Sequence, residues 1–181
     1  MKRTCICSTI IVLICLTLSP TAAAQETTMK LTASDGTEVI IYRDRYGVPH
    51  IVGDSEAGVF YGQGFATAQD RIAQMESFRL MSLGRTAEVQ GEEQIETDKW
   101  IRTLFYTEKE RREIFTTLPT AFQTMLQSYA DGVNAYVDSM LSDPNNYLPM
   151  DYVLMMSQGL EIEHWSTTHF IAIIQFAMRR F

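Results

Sequence analysis

The sequence predicts an α+β chain, with a short β-hairpin at the front and helices behind it. Three observations carry this. Val39-Ile40-Ile41-Tyr42 is β-branched and aromatic, which suits a strand, and it follows the turn signal Ser34-Asp35-Gly36. Phe122, Leu126, Tyr129, Val133, Tyr136 and Met140 recur at the three-and-four spacing of one helical face. Between these lies a narrow stretch, Gly62, Gly64, Ala66 and Ala68, with Phe60, Gly64 and Ala68 on a single helical face.

Taken in order, Gln25 to Met29 reads as a polar lead-in and Lys30 to Val48 as the hairpin. Pro49 ends the second strand, because it lacks an N–H and biases Val48 to extended geometry; His50 to Val52 resumes pairing briefly. Asp54 or Ser55 caps a helix from about Glu56 to Gln69. Glycine in a helix interior costs about 1 kcal/mol relative to alanine, so a helix that carries two packs closely against another backbone. A second helix, or a continuation, runs from Arg71 to Leu83 with Ile72, Met75, Phe78 and Arg79 on its inner face, and Gly84 ends it. Gly91 to Thr97 is acidic and loop-like. Asp98 to Tyr106 is helical with Trp100, Leu104 and Phe105 inward. Thr107 with Glu110 is a capping box opening a charged helix to Phe115. Pro119 opens the striped helix, Asp143-Pro144-Asn145-Asn146 stops it, and Leu148 to Met156 forms a shorter one. Ser166 caps the last helix. Phe170 to Met178 is apolar almost all round, so it should be buried on most sides. The chain stops inside that helix, which reads as a fragment of a longer domain.

The 181 residues suffice for one domain, and an apolar fraction of 46% excludes a disordered chain. The formal charge of -7 argues against nucleic acid or an anionic membrane as partner. Residues 1–24 read as a secretory signal: Lys2 and Arg3 form the charged region, Cys5 to Leu18 the apolar core, and Thr21 to Ala24 the small residues before cleavage. The apolar core falls short of the roughly 20 residues a membrane span needs. Residues 25–181 then form the mature part, periplasmic or secreted and free of the membrane. All three cysteines lie in the leader, so the mature part has no disulfide, thiolate nucleophile or cysteine metal site.

Catalytic material is scarce. His50, His164 and His169 stand outside any metalloprotease or nucleophile-elbow pattern. Asp44 and Asp70 as an acid–base pair are outweighed by their arginine neighbours Arg43, Arg45 and Arg71, which favour ionised structural carboxylates. Gln69-Asp70-Arg71 reads as a polar tie between helices and strand. His50 reads as a hydrogen-bonded structural residue. Glu161-Ile162-Glu163-His164 has metal-capable side chains but reads as a solvated loop.

Three blocks then stand in fixed order. The first is Arg43-Asp44-Arg45-Tyr46-Gly47-Val48-Pro49-His50-Ile51. The second runs from Gly64 through Ala68-Gln69-Asp70-Arg71 to Gln74-Met75-Glu76. The third is Gly84-Arg85-Thr86-Ala87-Glu88. Together they resemble the front of the penicillin amidase family, the N-terminal-serine hydrolases that cut linear amides. The resemblance implies an exported precursor that cuts itself into α and β chains and folds as a four-layer αββα sandwich, of which this chain is the front of the α chain. It implies that the nucleophile is the serine at the start of the β chain, with its own α-amine as base. That amine's pKa near 8 suits the task. No catalytic residue is then expected in this chain, and no cofactor for catalysis. A structural calcium ion is implied for the complete enzyme, its α-chain ligand lying past Phe181. The implied partners are the β chain and a small-molecule amide of penicillin or cephalosporin type. An acyl-homoserine lactone is the alternative substrate, and a non-catalytic exported binding protein the alternative class.

One contribution to the substrate site is implied within the chain. Penicillin-cleaving members of the family carry an Arg-Phe pair over the acyl pocket, late in an α-chain helix. Arg180-Phe181 matches that pair, while the preceding Ala177-Met178-Arg179 departs from the family pattern. Both readings of the pair stand: acyl-pocket wall, or helix-end core with a solvated charge.

Overall fold

The computed structural model describes residues 26–180. The signal segment, the three cysteines and Phe181 therefore lie outside the described residues.

Three strands form one antiparallel sheet in the order β1 (Thr27–Thr32), β2 (Glu38–Arg43), β3 (Pro49–Gly53). Val39 and Ile41, 0% and 2% exposed, point into the core from β2. Two expectations need correction. The lead-in is strand, since Thr27 pairs with Arg43 and Met29 with Ile41. His50 to Val52 does pair, but Pro49 opens a third strand rather than ending the second, which stops at Arg43, with Ile51 opposite Ile41 and His50 opposite Tyr42. Pro49 is tolerated because it opens the strand.

Helix α1 (Glu56–Leu83) crosses the inner face of the sheet. Ser55 caps it, its hydroxyl accepting from Gly58 N at 2.9 Å. Of the two readings for residues 71–83, the continuation holds: the helix runs on, bent at Arg71, where φ is -154 and ψ is 35. At its end Gly84 takes the left-handed conformation (φ 62), while Arg85 N donates to Leu80 O and Gly84 N to Met81 O. That pairing satisfies carbonyls a helix end would otherwise orphan. Phe78 is 43% exposed and does not join the inner face of Ile72, Met75 and Arg79.

Helices α2 (Ala87–Gln90), α3 (Ile95–Leu104) and α4 (Glu108–Thr117) follow, with a single 3-10 turn, Glu92–Gln94, before α3. The acidic stretch is therefore partly helical. Of the expected inward residues near α3, Phe105 is half-buried, but Trp100 and Leu104 are 58% and 44% exposed, whereas Ile101 and Asp98 are buried. Asp98 points inward because it caps α2, accepting from Thr86 N at 3.0 Å and Ala87 N at 2.7 Å. The expected capping box at Thr107 and Glu110 is present.

Helix α5 (Thr120–Ser142) is the striped helix. It meets α1 at a crossing too tight for side chains. A Cβ on Gly64 would lie 2.2 Å from Tyr129 O, and one on Gly132 would lie 1.9 Å from Tyr61 O. The stripe buries Val133, Tyr136 and Met140 but leaves Phe122 54% exposed. The short helices α6 (Pro144–Tyr147) and α7 (Met150–Ser157) lead to α8 (Thr167–Arg180). Ser166 precedes α8 and its backbone N–H donates to His169 Nδ1 at 3.2 Å. Helix α8 is not buried on most sides. Ile171 and Ala172 face the core, but Ile174 and Met178 are 49% and 77% exposed.

Candidate functional site

The first motif block forms a turn and a tie. Asp44 accepts from Tyr46 N at 2.8 Å and Val48 N at 3.0 Å, and His50 Nε2 lies 3.3 Å from its second oxygen. Burial pushes the Asp44 carboxyl up, but the Tyr46 and Val48 N–H bonds and His50 outweigh it and hold the carboxyl below its usual range. Gly47 N closes the turn on Asp44 O at 2.8 Å. Arg43 donates to Gly47 O at 2.9 Å and to Gln69 Oε1 at 2.9 Å, and forms a 2.8 Å salt bridge with Asp70. Arg43, Gln69 and Asp70 thus join the sheet to α1 one residue before its bend at Arg71. Asp44 and Asp70 have separate partners and do not face each other as an acid–base pair.

The second and third blocks meet in a buried corner. Glu76 and Arg79 are both 0% exposed. Arg79 Nε donates to Glu76 Oε2 at 2.9 Å, and its Nη1 donates to Glu163 Oε2 at 2.6 Å. Arg85 donates twice to Glu163, at 3.0 Å each, and twice to Glu88, at 2.8 Å each. The Arg79 guanidinium lies 5.5 Å from the Trp165 ring centre. Burial pushes the Glu76 carboxyl up despite Arg79. Glu163 is drawn down to about 2, first by the Arg85 hydrogen bonds and then by Arg79 against the opposing effect of burial. Glu163 is therefore no solvated loop residue, and no pattern near it reveals this: it closes a network with residues about eighty positions earlier. Gln74, from the same block, is exposed on α1.

This corner offers no nucleophile or base, because each carboxylate is held by a guanidinium. His164 Nε2 pairs with Asp138 at 2.8 Å. Burial holds the His169 imidazole down at about 4. Among the described residues no three His, Cys, Asp or Glu side chains group as metal ligands. The carboxylates of the corner are already bonded to Arg79 and Arg85.

The open end of the molecule lies where α8 finishes beside α3. Arg179 donates to Leu104 O, and its guanidinium sits 5.2 Å from the Phe105 ring centre. Phe105 also packs at 5.8 Å from Phe176. Trp100, Leu104, Phe105, Phe176 and Arg179 line a cleft of about 650 Å³. Arg180 is the last helical residue of α8, one position past this wall.

A three-stranded sheet crossed by a kinked helix, with further helices packed behind, defines an α+β fold. The family model described as Penicillin amidase matches residues 38–181. The chain belongs to the penicillin amidase family. It is 38% identical over 122 residues to penicillin G acylase of Escherichia coli, covering 67% of this chain and 14% of the relative. It is 39% identical over 137 residues to penicillin acylase 2 proenzyme of a Pseudomonas species, covering 76% and 16%. An acyl-homoserine lactone acylase of Pseudomonas fluorescens is 32% identical over 149 residues, covering 82% and 17%. The chain thus spans about a sixth of the length of the curated relatives it matches. A solved thermostable penicillin G acylase from Alcaligenes faecalis superposes with a TM-score of 0.71 at 33% identity, over 80% of this chain and 74% of that one. The α+β fold is that of the corresponding part of a penicillin acylase.

Proposed function

We propose that residues 25–181 are the front of the α chain of an exported amidase that hydrolyses the linear amide between an acyl group and an amine. Residues 1–24 direct its export to the periplasm or beyond. The observation that carries this is a contrast in coverage. The chain matches 14% of the Escherichia coli relative but 74% of a chain in the solved penicillin G acylase. A short chain of this fold, paired with a longer one, is what self-cleavage of a precursor gives. The name of the Pseudomonas relative, a proenzyme, points the same way.

The attacking hydroxyl in this reading belongs to the serine that opens the β chain. It adds to the amide carbon, the amine leaves with a proton, and water then cleaves the acyl ester to free the acid. This chain supplies no proton-transfer group. Its share is the wall of the acyl pocket, with Phe181 against the acyl group and Arg180 on the leaving-group side. Amides of penicillin or cephalosporin type are the favoured substrates, since the penicillin acylases are more alike in sequence than the acyl-homoserine lactone acylases. A structural calcium ion, if the enzyme holds one, draws its ligands from elsewhere.

The test is to express the complete reading frame, follow processing by intact mass, and assay phenylacetyl and long-chain acyl amides. Two chains, the second beginning with serine, and faster phenylacetyl turnover are expected. Phe181→Ala should raise KM for phenylacetyl amides about tenfold or more, from loss of one buried aromatic contact. An unprocessed chain that hydrolyses amides, or a processed one that does not, overturns the reading. Faster turnover of an acyl-homoserine lactone reassigns the substrate.

A further inference from the structure

Next to the start of α8, helices α3 and α4 enclose a second cleft, of about 490 Å³. Three guanidinium groups line it: Arg85, Arg102 and Arg111. Arg85 is neutralised by Glu88 and Glu163. The other two form no ion pair with a carboxylate among the described residues, although Glu108 also lines the cleft and its charge reaches Arg111. Arg102 donates its Nε to Gly84 O at 2.8 Å and is otherwise exposed at the rim. Arg111 is 8% exposed, donates Nη1 to Tyr106 O, and keeps a buried Nε without a partner.

The nearby carboxylates are engaged elsewhere. Glu108 bonds to Arg112. Glu110 accepts from Thr107 N at 2.7 Å and Thr107 Oγ1 at 2.8 Å. His169, on the same wall, adds no charge near neutral pH. The cleft therefore presents two guanidinium groups without a bonded carboxylate, one of them buried, with Glu108 turned to Arg112. A buried unpaired charge is far costlier than an exposed one, and folded proteins pair it.

We propose that this cleft is a socket for one carboxylate side chain from the part of the enzyme that residues 1–181 do not contain. Arg111 is the buried receptor and Arg102 guards the rim. The inference rests on the proposed function, in taking the chain as part of a longer enzyme. The planar guanidinium fork matches a carboxylate bidentately. Leu83, Ile101 and Phe105 line the same cleft, and their apolar surface suits the stem of an acidic side chain better than a hydrated free anion. The matched relatives, of which the chain spans 14% and 16%, have ample further sequence to supply it.

The test uses the complete matured enzyme with Arg111→Gln, Arg111→Lys and Arg102→Gln. Chain dissociation in urea is followed by size exclusion, and the wild-type structure is determined. Arg111→Gln should speed dissociation at least about tenfold, because truncating one partner of a buried charged pair acts on the off-rate. Arg111→Lys and Arg102→Gln should act less, with kcat of the assembled enzyme unchanged. The structure should show an Asp or Glu from outside residues 1–181 on the Arg111 fork. Water alone there, a carboxylate of this chain, or an unchanged dissociation rate overturns the proposal. If Arg111→Gln fails to assemble, the Arg102→Gln rate and the wild-type structure decide. Sodium acetate bound by wild type and lost in Arg111→Gln marks a site for free carboxylates and overturns the side-chain source. Wild-type amide turnover, measured in parallel, reports on the proposed function alone. If the chain stays unprocessed, the urea unfolding midpoint of the same variants replaces dissociation.

Discussion

Arg79 and Arg111 are both buried arginines, 0% and 8% exposed, and they differ in what faces them. Arg79 has a carboxylate on each side, Glu76 and Glu163, and the Trp165 ring nearby. Arg111 has one backbone carbonyl and an unpaired Nε. A guanidinium surrendered from water regains its hydration only through such partners. The charged groups of the corner around Arg79 are thus paired within these residues, although Trp165 Nε1 stays buried there without a partner, whereas the Arg111 guanidinium has no bonded carboxylate. Burial alone does not distinguish the two regions; the pairing of their buried charges does.

The sharpest way to break this comparison is Arg79→Leu, which strands Glu76 in the core. The expected loss is about 3–5 kcal/mol, the range for breaking one side of a buried ion pair, read by denaturant unfolding of the matured enzyme. A loss below about 1 kcal/mol would show that Glu76 finds another partner and that the corner is no tighter than the cleft. Next in size is the backbone crossing. Gly64→Ala sets a methyl against Tyr129 O, and the helices must part, for a cost of about 1–3 kcal/mol. An unchanged melting temperature would mean that the α1–α5 seam is loose.

The pH dependence separates the corner from the cleft. Glu163 has its carboxyl lowered from 4.5 to about 2. It contributes stability that is present above pH 4.5 and lost as the pH falls toward 2. His169 is lowered from 6.5 to about 4, so stability falls as the pH drops across that interval, where the unfolded chain binds the proton and the folded one resists it. Glu163→Gln should flatten only the lower limb of a stability–pH curve, and His169→Gln only the upper one. Loss of both limbs in either variant would tie the two regions into one titrating unit. The smallest expected effect is Thr107→Ala at the cap of α4, about 1 kcal/mol; a much larger loss would mean that the cap supports the cleft wall.

The helices and the hairpin were legible because they rest on local pattern: the α5 stripe, the Thr107 capping box, Gly84 at a helix end. The tight crossing was legible for half its length, since Gly64 called for a close neighbour without naming Gly132. The third strand was understated because Pro49 masks it, and Pro49 needs no ladder bond where it stands. Trp100 misleads because a large apolar residue reads as inward, while the buried position goes to Asp98 for its bonds to two backbone N–H groups. Glu163 was unreadable, as its worth lies in Arg79 and Arg85, far back along the chain. Of the candidate site, the motif residues Arg43, Asp70, Glu76 and Glu88 could be marked as structural from their arginine neighbours and the family resemblance. Arg111 gave no sign, because a charge run such as Glu108 to Glu113 looks like any solvated helix face.

The crossing of Gly64 with Gly132 also sets an order in time. A chain leaving the ribosome at about 5–20 residues per second completes the sheet and α1 on the order of several seconds before Gly132 follows. During that interval the bare seam on α1 has no helix to receive it, and closing the long intervening loop adds its own entropic delay. A pause in synthesis between the two glycines prolongs the exposure of a strip of backbone that fits any helix as slim as α5, including one from a neighbouring nascent copy.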